Sequence, residues 1–312
     1  MPLETPGRKA DGQDHRSRRA APARSALCHS EAMAMTATGR ASHPPGLYVL
    51  FFTELWERYS FYSMSAILTL YMNEALHFDT ARIGAVYGAY VGGVYFMPLV
   101  GGLVADRALG FRRCVIVGGM LMLLGHLVLA VEALPFFYAG LVLLACGSGL
   151  LKPNISTIVG NLYRDRPELR DAAFNIFYMG INIGGFIAPY GVAWLRARYG
   201  WSVAFGSAAV AMLVSVVVFI RGRKHLGEAA ERVPSRSLEA DSVSPEDARS
   251  RVMTLLVVFV VSAVFWLAFF QDGFTLTLWA RDNTATGIAP EIFRSVEPLG
   301  VIIFSFGLVF LW

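Results

Sequence analysis

Charge is scarce in this chain. Asp, Glu, Lys and Arg make up 16% of its 312 residues, against about 25% in an average soluble domain, so the composition does not describe a core wrapped in a solvated surface. Cysteine is scarcer. Cys28, Cys114 and Cys146 form no CxxC pair, and the last two lie in apolar runs, which excludes a disulfide framework or a cysteine zinc site. No HExxH occurs, and Gly147-Ser148-Gly149 has no base nearby in sequence, so hydrolytic chemistry has no motif to rest on. The alternating pattern of a membrane β-barrel is missing as well. Residues 1–45 are rich in Arg, Ala, Ser and Pro, and no apolar stretch of signal-peptide length follows them. They read as a disordered cytoplasmic tail, with Met33 or Met35 as possible alternative starts.

What is abundant is apolar. Hydrophobic residues are 55% of the chain, mean hydropathy is +0.50, and several runs are long enough to cross a hydrocarbon core of about 30 Å as helices. The pattern predicts eight of them, over 47–72, 83–105, 112–132, 136–158, 172–196, 201–221, 253–281 and 296–312. The polar stretch 222–251, with Pro234 and Pro245, reads as a cytoplasmic linker between a six-helix bundle over 46–221 and two helices of a second bundle over 252–312. The last run reaches Trp312 without a polar flank, so the second bundle reads as incomplete.

The net charge of +4 does not point to nucleic acid, because the arginines sit in short clusters between apolar runs. Arg107, Arg112 and Arg113 share one loop, and Arg164, Arg166 and Arg170 share another. The positive-inside rule puts those loops, the linker and both termini on the cytoplasmic side. Small residues four apart, at Gly84, Gly88 and Gly92 and at Gly180, Gly184 and Ala188, are ridges on which helices can pack closely.

Three charges interrupt the first apolar run. At 100° per residue, Glu54, Glu57, Arg58, Phe61 and Tyr62 fall on one stripe. Each buried charge costs about 2.5–3.5 kcal/mol on insertion scales, so pairing and a wet cavity must offset them. A Glu–Arg clamp between helices is one use of such a group. A protonatable switch is the other, since protonating Glu57 frees Arg58 for an anion. Lys152, beside the helix-breaking Pro153, is a lone cation far from either end of the fourth run and is expected to face the same cavity. Asn182 in the fifth run either bonds a ligand or ties two helices together. The segment Gly102-x-x-x-Asp106-Arg107-x-x-Gly110-x-Arg112-Arg113 is a candidate conformational latch.

At these residues the chain resembles the proton-dependent oligopeptide transporter family of the major facilitator superfamily. The matching motifs are Glu54-x-x-Glu57-Arg58, Gly101-Gly102-Leu-Val-Ala-Asp106, Gly149-Leu-Leu-Lys152-Pro153-Asn154 and Phe177-Tyr178-Met-Gly-Ile-Asn182-Ile-Gly184. The resemblance implies an all-α membrane protein with eight of the usual twelve or more transmembrane helices. It implies a symporter of di- and tripeptides that works by alternating access in a bacterial inner membrane, not an enzyme. The driving force would be the proton gradient, with no cofactor. Its partners would be a small peptide and the bilayer, not nucleic acid, and the chain would act as a monomer. By the same resemblance Glu54 and Glu57 serve proton coupling, Arg58 and Lys152 meet the peptide carboxylate, and Tyr62, Tyr95 and Asn182 line the pocket. Asp106, Arg107 and Arg112 form the latch. The chain departs from the family at Phe61, where a tyrosine is usual, and at Phe270, where an acid precedes Gln271. Asp272 or Glu297 is expected to take over that acid's part. A non-transporting remnant or binding subunit, and a carrier of nitrate or another small anion, are the alternatives on the same scaffold.

Overall fold

The computed structural model describes residues 42–231, 245–284 and 287–311. Most of the expected tail, Cys28 included, and the middle of the expected linker lie outside the described residues.

Six helices form a bundle: α1 (Pro45–Glu74), α2 (Thr80–Val104), α3 (Phe111–Leu129), α4 (Leu134–Leu162), α5 (Arg170–Tyr199) and α6 (Trp201–Gly222). Local chemistry sets their ends. Pro45 opens α1, where a fixed φ is pre-organised and no amide hydrogen is needed. The Asp79 carboxylate caps α2 by accepting from the Arg82 amide at 2.9 Å. Helix α2 runs on into a π-turn, Ala105–Leu109, which stops at Gly110 with φ 76°, a conformation that glycine adopts without strain. Six helices are long and apolar enough to cross a membrane. Helix α1, 30 residues long, carries its charges mid-span and is not one of the six.

The bundle packs through glycine. Gly118 on α3 and Gly147 on α4 sit so close that a Cβ on Gly147 would lie 2.6 Å from the Gly118 carbonyl oxygen. Gly101 on α2 lies directly against the Gly149 carbonyl of α4, and Gly184 on α5 lies on the backbone of α1 at Leu55. The ridge expected on α2 behaves differently. Gly88 and Gly92 have no neighbour within 4 Å, and Gly84 meets the Phe274 ring. The close approach of α2 is made further along, at Gly101, while Gly88 and Gly92 are exposed. Van der Waals contact between backbones is the main attraction left where lipid is as apolar as the side chains.

Five further elements follow: α7 (Pro245–Phe269), a 3-10 turn (Phe270–Gly273), α8 (Thr275–Asn283), a second 3-10 turn (Pro290–Ser295) and α9 (Val296–Leu311). The seventh helix was expected unbroken over 253–281. It begins at Pro245 and breaks at 270–273. At the break the Gly273 carbonyl accepts from Thr69 Oγ1 of α1 at 2.6 Å, and the Tyr87 hydroxyl occupies the space where a Cβ on residue 273 would sit. An external donor for a freed carbonyl is what makes a broken helix tolerable within a membrane.

These elements meet the bundle along the C-terminal halves of α1 and α5. Arg281 donates to Asn73 at 2.5 Å, Ser295 donates to the Phe186 carbonyl at 3.1 Å, and Arg196 pairs with both Glu74, at 3.2 Å, and the fully buried Glu291. At the opposite end, two 3-10 turns after α6 fold back on the bundle, where Asn161 donates to the Ala229 carbonyl at 3.2 Å.

Helix packing this tight makes a size test available. Gly147→Ala is expected to lower stability in detergent by about 1–3 kcal/mol, because an interior with no spare room must shift to admit a methyl group. Gly102→Ala, with nothing within 4 Å, is expected to hold or raise stability, since alanine is the better helix former by about 1 kcal/mol. Thermal unfolding of the two variants side by side checks this.

Candidate functional site

The charged stripe of α1 is gathered on itself. Arg58 donates to both carboxylate oxygens of Glu57, through Nη2 at 2.6 Å and through Nε, and its Nε also lies 3.1 Å from Glu54 one turn back. All three residues are buried, Glu57 completely. One arginine cannot neutralise two carboxylates. The fourth charge is Lys152 of α4, which interacts electrostatically with Glu54, Glu57 and Arg58 and brings the group to formal neutrality.

Lys152 makes no ion pair or hydrogen bond among the described residues. Its ammonium lies over two rings instead, 4.5 Å from the centre of Phe61 and 5.5 Å from that of Tyr95. Arg58 lies 5.2 Å from the same Phe61 ring. Phe61 is therefore a lid of π-electron density shared by the two cations. Pro153, next along α4, coexists with a continuous helix, and the Asn154 amide donates to the Leu150 carbonyl at 2.7 Å and the Gly101 carbonyl at 3.4 Å.

On the far side of Phe61 is a cavity of about 310 Å³, at the lower end of the roughly 300–1,000 Å³ of small-molecule pockets. Phe61, Tyr62, Tyr87, Tyr90 and Tyr95 supply one wall, and Phe270, Asp272, Arg294 and Glu297 the other. Of the residues singled out in the sequence, Tyr62, Tyr95, Asp272 and Glu297 thus face one space, with the cluster of Glu54, Glu57, Arg58 and Lys152 behind it. Phe270 packs its ring 5.1 Å from Tyr95 and 5.4 Å from Trp266, so an aromatic wall stands where the family usually has a carboxylate.

Asn182 is not brought to this cavity. It is buried on α5, and its amide donates to the Tyr178 carbonyl at 2.9 Å. The latch residues are divided. Asp106 and Arg107 are exposed and make no ion pair among the described residues, whereas Arg112 pairs with Glu231 at 2.7 Å and donates to the Gly227 carbonyl at 3.2 Å. Arg112 thus ties α3 to the segment after α6.

Sequence reasoning missed Arg294, Tyr87 and Tyr90. Arg294 follows the seventh apolar run in the sequence like any loop charge, yet its Nε bonds Asp272 at 3.0 Å and its Nη1 is buried without a partner among the described residues. The tyrosines carried a readable signal. Tyr87, Tyr90, Val91, Val94 and Tyr95 recur at three- and four-residue steps along one face of α2. What the sequence did not reveal was that this face looks into space.

Comparison with known proteins places these motifs in context. A model of the POT family matches residues 112–235. A di-/tripeptide transporter of Lactococcus lactis subsp. cremoris is 38% identical over 240 residues, 73% of this chain and 46% of its own length. The uncharacterised transporter YclF of Bacillus subtilis is 44% identical over 204 residues, 63% of this chain and 42% of its own. The chain therefore spans less than half the length of the curated relatives it matches. Among solved structures, a mutant of the peptide transporter POT in complex with sulfate superposes with a TM-score of 0.78 at 33% identity, covering 88% of this chain and 69% of that one. A POT family transporter in complex with 5-aminolevulinic acid gives 0.72 at 25%, covering 88% and 71%. The fold is that of the major facilitator superfamily, the family is one of transporters rather than enzymes, and the chain is a multi-pass membrane protein. By that sequence identity and the superposition over most of its length, this chain belongs to the POT family.

Proposed function

We propose that the chain carries the substrate site of a proton-coupled symporter of di- and tripeptides in a bacterial inner membrane, with the N-terminus cytoplasmic. One observation carries this reading. On one side of the cavity Lys152 lies behind Phe61 and Tyr95, on the other stands Glu297, and neither makes an ion pair or hydrogen bond among the described residues. A zwitterion complements that arrangement. The carboxylate of a peptide meets Lys152 and Arg58, its ammonium meets Glu297, and Tyr62 and Tyr95 bound the space between. Relatives described as di-/tripeptide transporters, and a solved relative holding 5-aminolevulinic acid, which also carries an amine and a carboxylate, support the substrate class.

Coupling follows from the α1 cluster. An arriving carboxylate competes with Glu57 and Glu54 for Arg58, and a proton on Glu57 releases the arginine to the substrate. Proton and peptide are then favoured together, which is symport. Asp272 holds Arg294 in place at the far wall, and Glu297 is the acid that stands in where Phe270 has displaced the family's own. The contacts of Arg196 with Glu74 and Glu291 and of Arg281 with Asn73 close the external end. In alternating access this is the state that faces the cytoplasm. The arginine-rich loops support that orientation, and Arg112 helps fasten the segment leading to the second bundle. The unit acts as a monomer and takes its energy from the proton gradient.

The discriminating measurement is equilibrium binding of Ala-Ala, its C-terminal amide and its N-acetyl form to purified protein. Lys152→Gln is expected to weaken Ala-Ala about tenfold or more, the size of one lost charge-assisted contact, and to leave the amide unchanged. Glu297→Gln is expected to erase the preference for Ala-Ala over the N-acetyl form. Equal affinity of wild-type protein for all three ligands would overturn the site.

Coupling is tested separately in vesicles. Glu57→Gln is expected to abolish accumulation of labelled dipeptide under an inward proton gradient while peptide exchange across the membrane continues. Uptake that survives Arg58→Ala at the wild-type rate would remove Arg58 from the site.

A further inference from the structure

Below Lys152, α4 keeps one face open. Lys152, Pro153, Ser156, Thr157, Gly160 and Asn161 are all at least partly exposed, while Asn154, Ile155, Ile158 and Val159 between them are buried. The open face ends in a second hollow, of about 490 Å³, between the end of α4 and the start of α5. Ser156 and Thr157 border it above, Gly160 and Phe174 form its floor, and Arg164 and Arg170 stand at its rim. Arg170 lies over the Phe174 ring at 5.9 Å and close above Gly160, where a Cβ would come within 3.5 Å of its Nη2. Neither guanidinium is in an ion pair among the described residues. Asp165, Glu168 and Asp171 flank the arginines in sequence but do not line the hollow.

We propose that this hollow is a second oxyanion site, which takes the carboxylate of the peptide after it leaves Lys152 and before it reaches the cytoplasm. The inference rests on the peptide-carrier reading above. Two arginines bordering one concavity, with no carboxylate among its described lining residues, form a site for carboxylate or phosphate oxygen. Its position fits release. Lys152 to Arg164 is roughly 18 Å along the helix at 1.5 Å per residue. A dipeptide extends about 7 Å and a tripeptide about 11 Å, and its single C-terminal carboxylate meets only one of the two sites at a time. They are occupied in succession. A cation-lined stretch of this kind gives the departing carboxylate a second partner and lowers the cost of separating it from Lys152.

Phenylglyoxal labelling of arginine, mapped residue by residue by mass spectrometry on full-chain protein in maltoside detergent, tests this without transport. Arg166 is exposed and outside the hollow, and serves as the internal reference. Ala-Ala is expected to slow labelling of Arg164 and Arg170 several-fold, its C-terminal amide is expected to have no effect, and the protection is expected to persist in Lys152→Gln. Inorganic phosphate is expected to protect the same two arginines. Three results would overturn the proposal: protection lost in Lys152→Gln, which makes it an echo of the central site; protection by phosphatidylglycerol micelles that Ala-Ala cannot displace, which makes the hollow a lipid site; or no protection in protein that binds Ala-Ala centrally. In that last case the peptide-carrier reading stands and this one falls. Protein that binds no Ala-Ala at Lys152 but shows carboxylate-dependent protection at Arg164 and Arg170 would overturn both the central site and the succession proposed here.

Discussion

Three buried charges on a helix that has to stay in lipid set the terms for the rest of the molecule. Glu54, Glu57 and Arg58 are each worth several kcal/mol of insertion cost if left alone, and mutual pairing leaves one negative charge over. That excess is what fixes Lys152 nearby, and it explains why α4 carries a cation far from either end. It also explains why the glycine contacts fall where they do. Gly184 brings α5 onto the backbone of α1 beside Arg58, and Gly149 brings α4 onto α2 just before Lys152. The close packing holds the walls of a polar interior together. A buried ion cluster adds little net stability, because desolvation offsets most of the Coulomb attraction.

Much of this was legible in the sequence, for physical reasons. Charges inside an apolar run are expensive enough that their presence identifies a site, so Glu54, Glu57, Arg58 and Lys152 could be named before any coordinates. Spacing at 100° per residue then put Phe61 and Tyr62 on the same stripe. The helices of the bundle were readable from apolar length. What the sequence hid were features decided by the neighbour across the gap. Asn182 has the chemistry of a ligand contact, but an amide on a helix can satisfy itself on its own preceding carbonyl, and it does so at Tyr178. Gly88 and Gly92 have the spacing of a packing ridge, and a ridge without a partner is open space. Arg294 lies outside any long apolar run, so composition alone files it with the loop charges. The break at 270–273 is likewise set by Thr69 and Tyr87 from other helices.

The far wall of the cavity shows how a charge can be moved without being lost. Phe270 occupies the position at which the family usually has a carboxylate, and its ring completes an aromatic surface with Tyr95 and Trp266. Of that surface Tyr95 lies under the Lys152 ammonium, and Phe61 beside it takes both Lys152 and Arg58, but the aromatic rings themselves bring no acid to balance the cations. Two acids appear on the elements that follow. Asp272 is spent on Arg294, and Glu297 is left unengaged. Because Asp272 lies two residues beyond Phe270, about 200° around an ideal helix, it could not face the cavity if α7 ran straight through. The 3-10 turn at Phe270–Gly273 is what turns it inward. The resemblance leads one to expect an acid at position 270; here the bend at 270–273 brings Asp272, and with it Glu297, to the same cavity that Phe270 lines.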